Sequence, residues 1–199
     1  MQKRSHKLLA SALLQSRQGF DARRFEWAFL FGSFQPDCNP LTYLKGSWRA
    51  GTLCGHNFSN SQRFVNRKIQ KLQERRARWT MWQYYTLGKL THYLADAFTY
   101  PHNAHFPDGL MDHHRYETDL RAYLESYLEG RPLQEESADG DLTAAIAELH
   151  QEYLEAERSG MSQDVRYILA ATGLLVRGCP PAPAYCRNCT NIFQISYRI

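Results

Sequence analysis

Apolar residues recur every three or four positions along most of the chain, and strand-like alternation of apolar and polar residues is scarce. The first spacing is typical of one face of an α-helix, and the second of a β-strand. The pattern therefore predicts an all-α fold, a bundle of several helices. The predicted helices are the LLASALL run near the start, FEWAFLFGSF from Phe25, and residues 61–79, 79–100, 115–130, 142–160 and 163–178. The final run, NIFQISYRI, has an extended pattern.

Proline marks where two of these helices are expected to end. Pro36 and Pro40 predict a turn after the FEWAFLFGSF helix, and this turn contains Asp37. Pro101 ends the helix at 79–100, because proline has no backbone N–H with which to continue helical hydrogen bonding.

Length and composition are those of a protein with a buried core. A chain of 199 residues with 43% hydrophobic and 13% aromatic content is sufficient for one domain. We therefore expect a single domain over residues 1–199, with a cysteine-containing C-terminal segment at about 177–199. The formal net charge of +4 is a modest excess that favours anionic substrates or surfaces in a general way.

Membrane-spanning and targeting segments are not evident in the sequence. No run of about 18 apolar residues occurs, so no transmembrane segment is predicted. Lys3, Arg4 and Lys7 precede LLASALL, but that run is short and no convincing small-residue cleavage site precedes Arg17. We interpret it as the first helix of the mature fold and expect a cytoplasmic protein.

Candidate metal ligands are concentrated in residues 87–119, which read LGKLTHYLADAFTYPHNAHFPDGLMDHHRYETD. Residues four apart on a helix project from the same face, so His92 with Asp96 forms one imidazole–carboxylate pair, and His113 with Glu117 forms a second. Zinc binds neutral imidazole nitrogen and carboxylate oxygen, and a catalytic zinc site keeps a position open for water. Two such pairs in one short segment indicate a multinuclear metal site.

Four further residues are candidate ligands outside the two pairs. His102 directly follows Pro101, where the helix stops, so its ring can turn back toward both pairs. His6, Asp37 and His56 lie upstream, where a fold can bring them to the same place. Each of these three also has an ordinary interpretation, as a polar residue near the chain start, a turn aspartate that bonds its own backbone, and a turn histidine.

The order of these residues, His, Asp, His, HxxxDxxxxxH and then HxxxE, resembles that of the bacterial zinc-dependent phospholipase C family, from about His6 to Glu117. The resemblance implies an all-helical domain that holds three zinc ions, and LGKLTHYLADAFTYPHNAHF is similar to the family's signature helix and turn. By this resemblance, one zinc would be held by Asp37, His56, His92 and Asp96, a second by His102, His113 and Glu117, and Asp96 would also bridge to a third beside His6.

The sequence departs from this family at its amino terminus. Secreted members begin with a tryptophan whose amino group and carbonyl complete the third zinc site, whereas here only five residues, beginning with Met1, precede His6. The resemblance therefore implies two zinc ions, with a third dependent on a different amino-terminal ligand. The residues that cradle a choline head group also lack counterparts, since Cys38 follows Asp37, so specificity for phosphatidylcholine is not implied.

We interpret the chain as a zinc-dependent phosphoesterase that hydrolyses a phosphodiester, with phospholipase C-like hydrolysis of a phospholipid as the leading hypothesis. Divalent ions about 3.5–4 Å apart activate water and stabilise charge on phosphoryl oxygens. Asp37 is the candidate catalytic residue, because its carboxylate can accept the proton of the attacking water.

Other functions remain open at this point. Zinc nucleases of single-stranded nucleic acid share the ligand architecture, but the resemblance implies a longer insert and an aspartate in their second pair, where this chain has Glu117. A non-catalytic nucleic-acid-binding protein would use the basic run QRFVNRKIQKLQERRARW in the predicted helix 61–79. The same surface suits anionic lipid headgroups and hence peripheral contact with an anionic membrane. A non-catalytic descendant that keeps the metal as a structural support is a further alternative.

The five cysteines, an odd number, predict no disulfide framework. Cys186 and Cys189 form a CxxC motif, and Cys179 lies seven residues before the first of them. A small structural zinc site or a redox pair is compatible with this spacing. Since no fourth ligand is evident, we favour reduced, unligated thiols.

Overall fold

The computed structural model describes residues 1–38, 58–75, 77–103, 110–129, 133 and 140–179. These residues form seven α-helices and one 3-10 turn, and none of them lies in a β-strand. The elements are α1 (Lys3–Ser16), α2 (Arg23–Cys38), α3 (Phe58–Gln73), α4 (Met81–Ala97), the 3-10 turn Tyr100–His102, α5 (Leu110–Leu128), α6 (Leu142–Glu155) and α7 (Met161–Gly178). The predicted all-α fold is confirmed.

Helix α4 is the centre of the packing, and α1, α2, α3 and α7 all contact it. Its side chains Leu87, Leu90 and Leu94 are buried in the core. The helix begins with a capping box, in which the Thr80 hydroxyl accepts a hydrogen bond from the first turn and the Gln83 side chain accepts one from the Thr80 N–H. These bonds satisfy backbone donors that have no partner within the helix, which fixes where α4 starts.

The contact between α2 and α4 is a close approach of two backbones at glycines. A Cβ atom on Gly32 would lie 2.2 Å from the carbonyl oxygen of Tyr85, and one on Gly88 would lie 2.1 Å from that of Phe29. Real Cβ atoms essentially never come within 3.0 Å of such atoms, so only glycine permits this crossing. The crossing brings Asp37, at the end of α2, beside α4.

The sequence predicted that helix α2 ends before Pro36, but the structure shows that it does not. It continues through Pro36 to Cys38, so Asp37 lies in the last turn of a helix and the prediction of a turn there was wrong. Proline at this position lacks the N–H that would bond to the carbonyl of Gly32, so α2 continues through it with one helical hydrogen bond fewer. Position Pro40 lies outside the described residues.

Three other helices are shorter than predicted, and one of them, α6, ends at Glu155 rather than at 160. Helix α3 ends at Gln73 rather than at 79, before a polar run with no apolar face to bury. Helix α4 ends at Ala97 rather than at 100. Side chains occupy its last carbonyls, since the Asn103 amide donates to Ala97 at 3.2 Å and the Thr99 hydroxyl donates to Asp96 at 2.7 Å.

None of the described helices is long and apolar enough to cross a membrane. The predicted extended run at 191–199 and the CxxC motif of Cys186 and Cys189 lie outside the described residues. Cys179, directly after α7, has a free thiol that is buried, and burial raises its pKa to about 12. Cys38 has a free thiol at the surface.

His150 on α6 is a buried imidazole that makes folding sensitive to pH. Its ring packs against those of Phe98 and Tyr153, and burial lowers its pKa to about 4. Between the ordinary pKa of 6.5 and this value, the unfolded chain binds a proton that the folded protein does not, so stability is lost as the pH falls. We expect the substitution His150→Leu to reduce the loss of unfolding free energy between pH 7 and pH 5 by about 1–2 kcal/mol. Urea denaturation of both proteins at both pH values measures this, and equal losses would contradict it.

Candidate metal centre

The first cluster of candidate ligands, here called the first group, consists of His6, His92 and Asp96, all buried. His6 comes from α1, whereas His92 and Asp96 lie one turn apart on α4 and so share a face. The Nε2 atom of each imidazole lies 3.3 Å from an oxygen of the Asp96 carboxylate, and the two rings stack with centroids 3.9 Å apart. One ligand atom from each residue lies within 4.8 Å of the others, so this group can hold a metal ion.

Asp37 reaches the first group from the end of α2. One carboxylate oxygen lies 3.6 Å from Nε2 of His92, and the other lies 3.9 Å from Nε2 of His6. Burial raises the pKa of Asp37 to about 6, against the opposing effect of His6. The carboxylate is therefore mostly ionised at neutral pH and is a stronger proton acceptor than an exposed aspartate.

The second cluster, here called the second group, consists of His102, His113 and Glu117 and is partly exposed. His113 and Glu117 lie one turn apart on α5, with Nε2 of the imidazole 3.2 Å from a carboxylate oxygen. His102 comes from the 3-10 turn, and its ring lies edge-on to that of His113 with centroids 5.3 Å apart. Burial, with the Met1 amino group, lowers the pKa of His102 to about 4, so its ring is neutral at pH 7 and can bind a metal.

The amino group of Met1 lies between the two groups. Its nitrogen is 2.6 Å from a carboxylate oxygen of Asp96 and 3.2 Å from one of Glu117. Burial alone would lower the pKa of this amine, but the carboxylates of Asp96 and Glu117 outweigh burial and raise it. Because one nitrogen touches both carboxylates, the two groups are immediate neighbours.

Charge in the site keeps the acidic ligands ionised and the buried imidazole neutral. Burial would raise the pKa of Asp96, but the Met1 amine and His6 hold that pKa well below its usual range. Burial would also raise the pKa of Glu117, but the positive charge of the Met1 amine outweighs burial, so this pKa is lowered as well. For His92, burial and the neighbouring His6 lower the pKa well below 6.5. These are the protonation states in which such side chains bind metals.

Hydrogen bonds at the far side of two rings decide which nitrogen faces the site. Nδ1 of His92 lies 3.0 Å from the Ser33 carbonyl oxygen, which can only accept, so Nδ1 carries the proton. Nδ1 of His102 lies 2.6 Å from the Thr99 hydroxyl, whose own proton is donated to the Asp96 carbonyl. Nδ1 of His102 is therefore also the donor. Both rings are left with an Nε2 lone pair for a metal, an arrangement that commonly supports metal-binding histidines.

Three candidate metal-ligand atoms in and beside the first group lack hydrogen-bond partners, and a metal ion would provide one. Within the described part of the chain, Nε2 of His6, Nε2 of His92 and Oδ2 of Asp37 are buried and form no hydrogen bond. Such atoms are rare in folded proteins because desolvating them without a partner is costly. Imidazole nitrogen and carboxylate oxygen are ligands that zinc prefers. The residues present therefore fit zinc.

A buried carboxylate behind the second group connects it to α6 and α7. Asp164 on α7 accepts hydrogen bonds from the hydroxyls of Tyr116 and Tyr153, the latter at 2.7 Å. Tyr116 directly precedes the glutamate ligand on α5. Arg158 places a guanidinium nitrogen 3.6 Å from Asp164 and stacks 3.5 Å from the ring centroid of Tyr100, in the 3-10 turn that carries the histidine ligand. One carboxylate thus supports both elements of the second group.

The substitution Asp164→Ala is expected to lower the unfolding free energy by about 3 kcal/mol, because it leaves one buried and one half-buried tyrosine hydroxyl and a guanidinium without the carboxylate that they contact. Urea denaturation measures the change. The matched control is Asp119→Ala, which removes an exposed aspartate of α5 and should change stability by less than about 0.5 kcal/mol. Equal stabilities of the two variants would show that the buried carboxylate does not support this region.

The structure brings together all the predicted ligands that it describes. The residues concerned are His6, Asp37, His92, Asp96, His102, His113 and Glu117, whereas His56 lies outside the described residues. The sequence analysis placed His6 beside a separate third ion. In the structure, the His6 ring instead stacks on His92 within the first group, so the division of ligands among ions stays a prediction.

Sequence reasoning did not assign a place to the Met1 amine. It also missed Ser33 and Thr99, the two residues whose oxygen atoms orient histidine rings. The Met1 and Ser33 contacts join residues far apart in the chain and depend on how α1 and α2 pack on α4, so no local pattern signals them. Thr99 is different, because it precedes His102 by three residues in a turn. A Thr at that spacing from a candidate ligand is a usable signal.

The described chain is thus an all-helical protein in which two neighbouring imidazole–carboxylate groups can each hold a metal ion. Comparison with protein-family models gives a match over residues 5–160 to the family described as zinc dependent phospholipase C. The chain therefore belongs to the zinc-dependent phospholipase C family. No curated protein and no solved structure matches it. Membership indicates a zinc-dependent hydrolase of the phospholipase C type and agrees with zinc as the metal.

Proposed function

We propose that this protein hydrolyses phosphodiesters with water, and that its substrate is a phospholipid cleaved as by a phospholipase C. The observation that carries the proposal is the contact of one nitrogen with both Asp96 and Glu117, which makes the two groups immediate neighbours. Two metal sites so placed can act on one phosphoryl group, whereas two isolated structural sites need not adjoin.

We propose that the ligands divide among the ions as the sequence resemblance implies. His92, Asp96 and Asp37, with His56 from outside the described residues, would hold one zinc. The second group would hold another zinc. A third ion beside His6 would share Asp96 with the first.

Zinc bound in these groups would lower the pKa of a water molecule and stabilise charge on the phosphoryl oxygens. The protein's own residues supply the proton acceptor and its orientation. Asp37 is the proposed catalytic base, because its carboxylate faces the first group, with one oxygen 3.6 Å from Nε2 of His92. As the water oxygen bonds to phosphorus, its proton passes to Asp37, and the bond from phosphorus to the leaving alkoxide breaks.

The rates of cleavage of three substrates distinguish phospholipid hydrolysis from its alternatives. We expect purified protein to release a phosphorylated head group from phospholipid and to cleave a chromogenic phosphodiester, with much slower cleavage of single-stranded DNA. A chelator should abolish both activities and added zinc should restore them, because the ligands by themselves provide no electrophile for the phosphoryl oxygens.

Three outcomes of these assays would contradict the proposed function. Preferential cleavage of single-stranded DNA would replace the phospholipid proposal with a nuclease. Full activity after exhaustive chelation would exclude the zinc-dependent mechanism. A folded, zinc-loaded protein without activity on any of the three substrates would instead leave the metal as a structural support.

A further inference from the structure

Exposed large apolar side chains are concentrated on one face of the described structure. Trp27 and Phe31 on α2 are 69% and 53% exposed, and Met81 and Trp82 at the start of α4 are 49% and 67% exposed. Among the described residues these are the four most exposed large apolar side chains. Concentrated apolar exposure of this kind marks an interaction surface, whereas single exposed side chains are ordinary.

Ring contacts make this face continuous across the two helices. The ring of Trp82 lies 5.2 Å from that of Tyr85, which lies 5.9 Å from that of Phe31, and Phe31 lies 5.6 Å from Phe34 on its other side. Trp27 is one helical turn before Phe31 and shares its side of α2. The aromatic face is defined here as Trp27, Phe31, Phe34, Met81, Trp82 and Tyr85.

Lysine side chains lie over the rings of the aromatic face. The amines of Lys3 and Lys7, both on α1, are 5.0 Å and 4.6 Å from the ring centroid of Phe34. On α4, the amine of Lys89 is 5.8 Å from the ring centroid of Tyr85. Cations therefore lie within the apolar patch, where their aliphatic stems cover the rings.

We propose that the aromatic face docks on the surface of a phospholipid bilayer that contains anionic lipids. Tryptophan and tyrosine are the residues enriched at membrane–water interfaces, because their rings are apolar at one end and polar at the other. Lysines beside these rings attract the anionic headgroups of such a surface. The face combines both features.

A protein partner fits this surface less well. Lysine is depleted in protein–protein interfaces, whereas here three lysines lie over the central rings. A second copy of the chain would oppose the same three cations to their counterparts, and juxtaposed like charges are costly. A surface of anionic headgroups has the opposite charge.

The aromatic face adjoins the candidate metal centre. Phe34 lies one turn before Asp37 on α2, and the Tyr85 hydroxyl donates to the side chain of Gln35 at 2.9 Å. A bilayer on the aromatic face would thus lie next to the end of α2 that carries the proposed base. This location extends the proposed function, but the docking itself requires no turnover and is tested without it.

Co-sedimentation with vesicles tests the docking. The zinc-loaded protein is mixed with phosphatidylcholine vesicles that contain or lack phosphatidylserine, and the bound fraction is measured. We expect binding to the mixed vesicles and at least about tenfold weaker binding to phosphatidylcholine alone, since vesicles without phosphatidylserine lack the anionic headgroups that the three lysines attract. Emission from the exposed tryptophans Trp27 and Trp82 should shift to shorter wavelength on binding.

The decisive variant is Trp27→Ala/Phe31→Ala/Trp82→Ala, which should bind the mixed vesicles at least about tenfold more weakly, since each ring loses its burial in the interface. The control, Tyr123→Ala/Leu154→Ala, removes exposed apolar side chains from α5 and α6 and should bind as the wild type does. Zinc content and thermal unfolding are measured for all proteins, to compare their folds.

Three results would overturn the docking proposal. The first is no binding of the wild type to either kind of vesicle, and the second is wild-type binding by the triple variant. The third is a wild-type dimer that the triple variant converts to a monomer, since that would make the face an interface between copies. Binding without phospholipid hydrolysis would support the docking proposal and contradict the proposed substrate. Hydrolysis without binding would support the proposed substrate and contradict the docking proposal.

Discussion

Asp96→Asn is expected to remove zinc from the site and to lower kcat/KM by at least about 100-fold, the upper range for perturbing a group that supports a metal. One buried carboxylate contacts the imidazoles of His6 and His92 at 3.3 Å and the Met1 amine at 2.6 Å. Asparagine keeps the shape of this side chain but removes its charge, so the first group loses its central anionic ligand. Elemental analysis of the purified variant and steady-state kinetics on a phosphodiester measure the two effects.

The matched control is Asp119→Asn, the same chemical change at an exposed position of α5. It should keep wild-type zinc content and activity, since Asp119 lies outside both groups. Wild-type zinc and activity in Asp96→Asn would show that the first group does not bind the metal on which activity depends.

Gly88→Ala is expected to lower the unfolding free energy by about 3 kcal/mol, the upper range for inserting a methyl group into a well-packed interior. The added Cβ would lie 2.1 Å from the carbonyl oxygen of Phe29 and 2.9 Å from the backbone nitrogen of Ser33, so α2 and α4 must separate. Separation would also move the Ser33 carbonyl that accepts from His92, and zinc affinity should fall with stability. Urea denaturation and zinc titration measure the two quantities.

Gly173→Ala on α7 provides a control of the same chemical type. The three atoms nearest to its Cβ would all belong to the end of the flexible Arg177 side chain, which can move aside. Alanine is favoured over glycine in a helix by up to about 1 kcal/mol, so this variant should be as stable as the wild type or more stable. If Gly88→Ala were equally stable, the close crossing of α2 and α4 would not be required by the fold.

Local spacing was sufficient to find the pairs at the centre of the site. His92 with Asp96 and His113 with Glu117 each lie four apart on one helix, and helical geometry alone places such residues on one face. The position of the Met1 amine was not predictable in this way, because it depends on the packing of α1 against α4 and α5. Side chains brought together by tertiary packing leave no periodic signal in the sequence.

The ends of helices show the same limit. The start of α4 carries a local signal that the predicted start at 79 did not use, since Thr80 with Gln83 has the T-x-x-Q spacing of a capping box. The passage of α2 through Pro36 was not readable, because a proline usually ends a helix and no local pattern signals that this one lies within the last turn. The error matters for function, since the last turn of α2 directs Asp37 toward His92.

The most direct test of the central claim is the zinc content per chain of protein purified without chelator, for the wild type and for His113→Ala. His114→Ala, an exposed histidine next in the chain, is the control for loss of an imidazole. We expect at least one zinc for each of the two groups in the wild type and in the control, and less zinc in His113→Ala. Folded wild-type protein without zinc, or unchanged zinc in His113→Ala, would contradict the assignment of these residues as a metal centre.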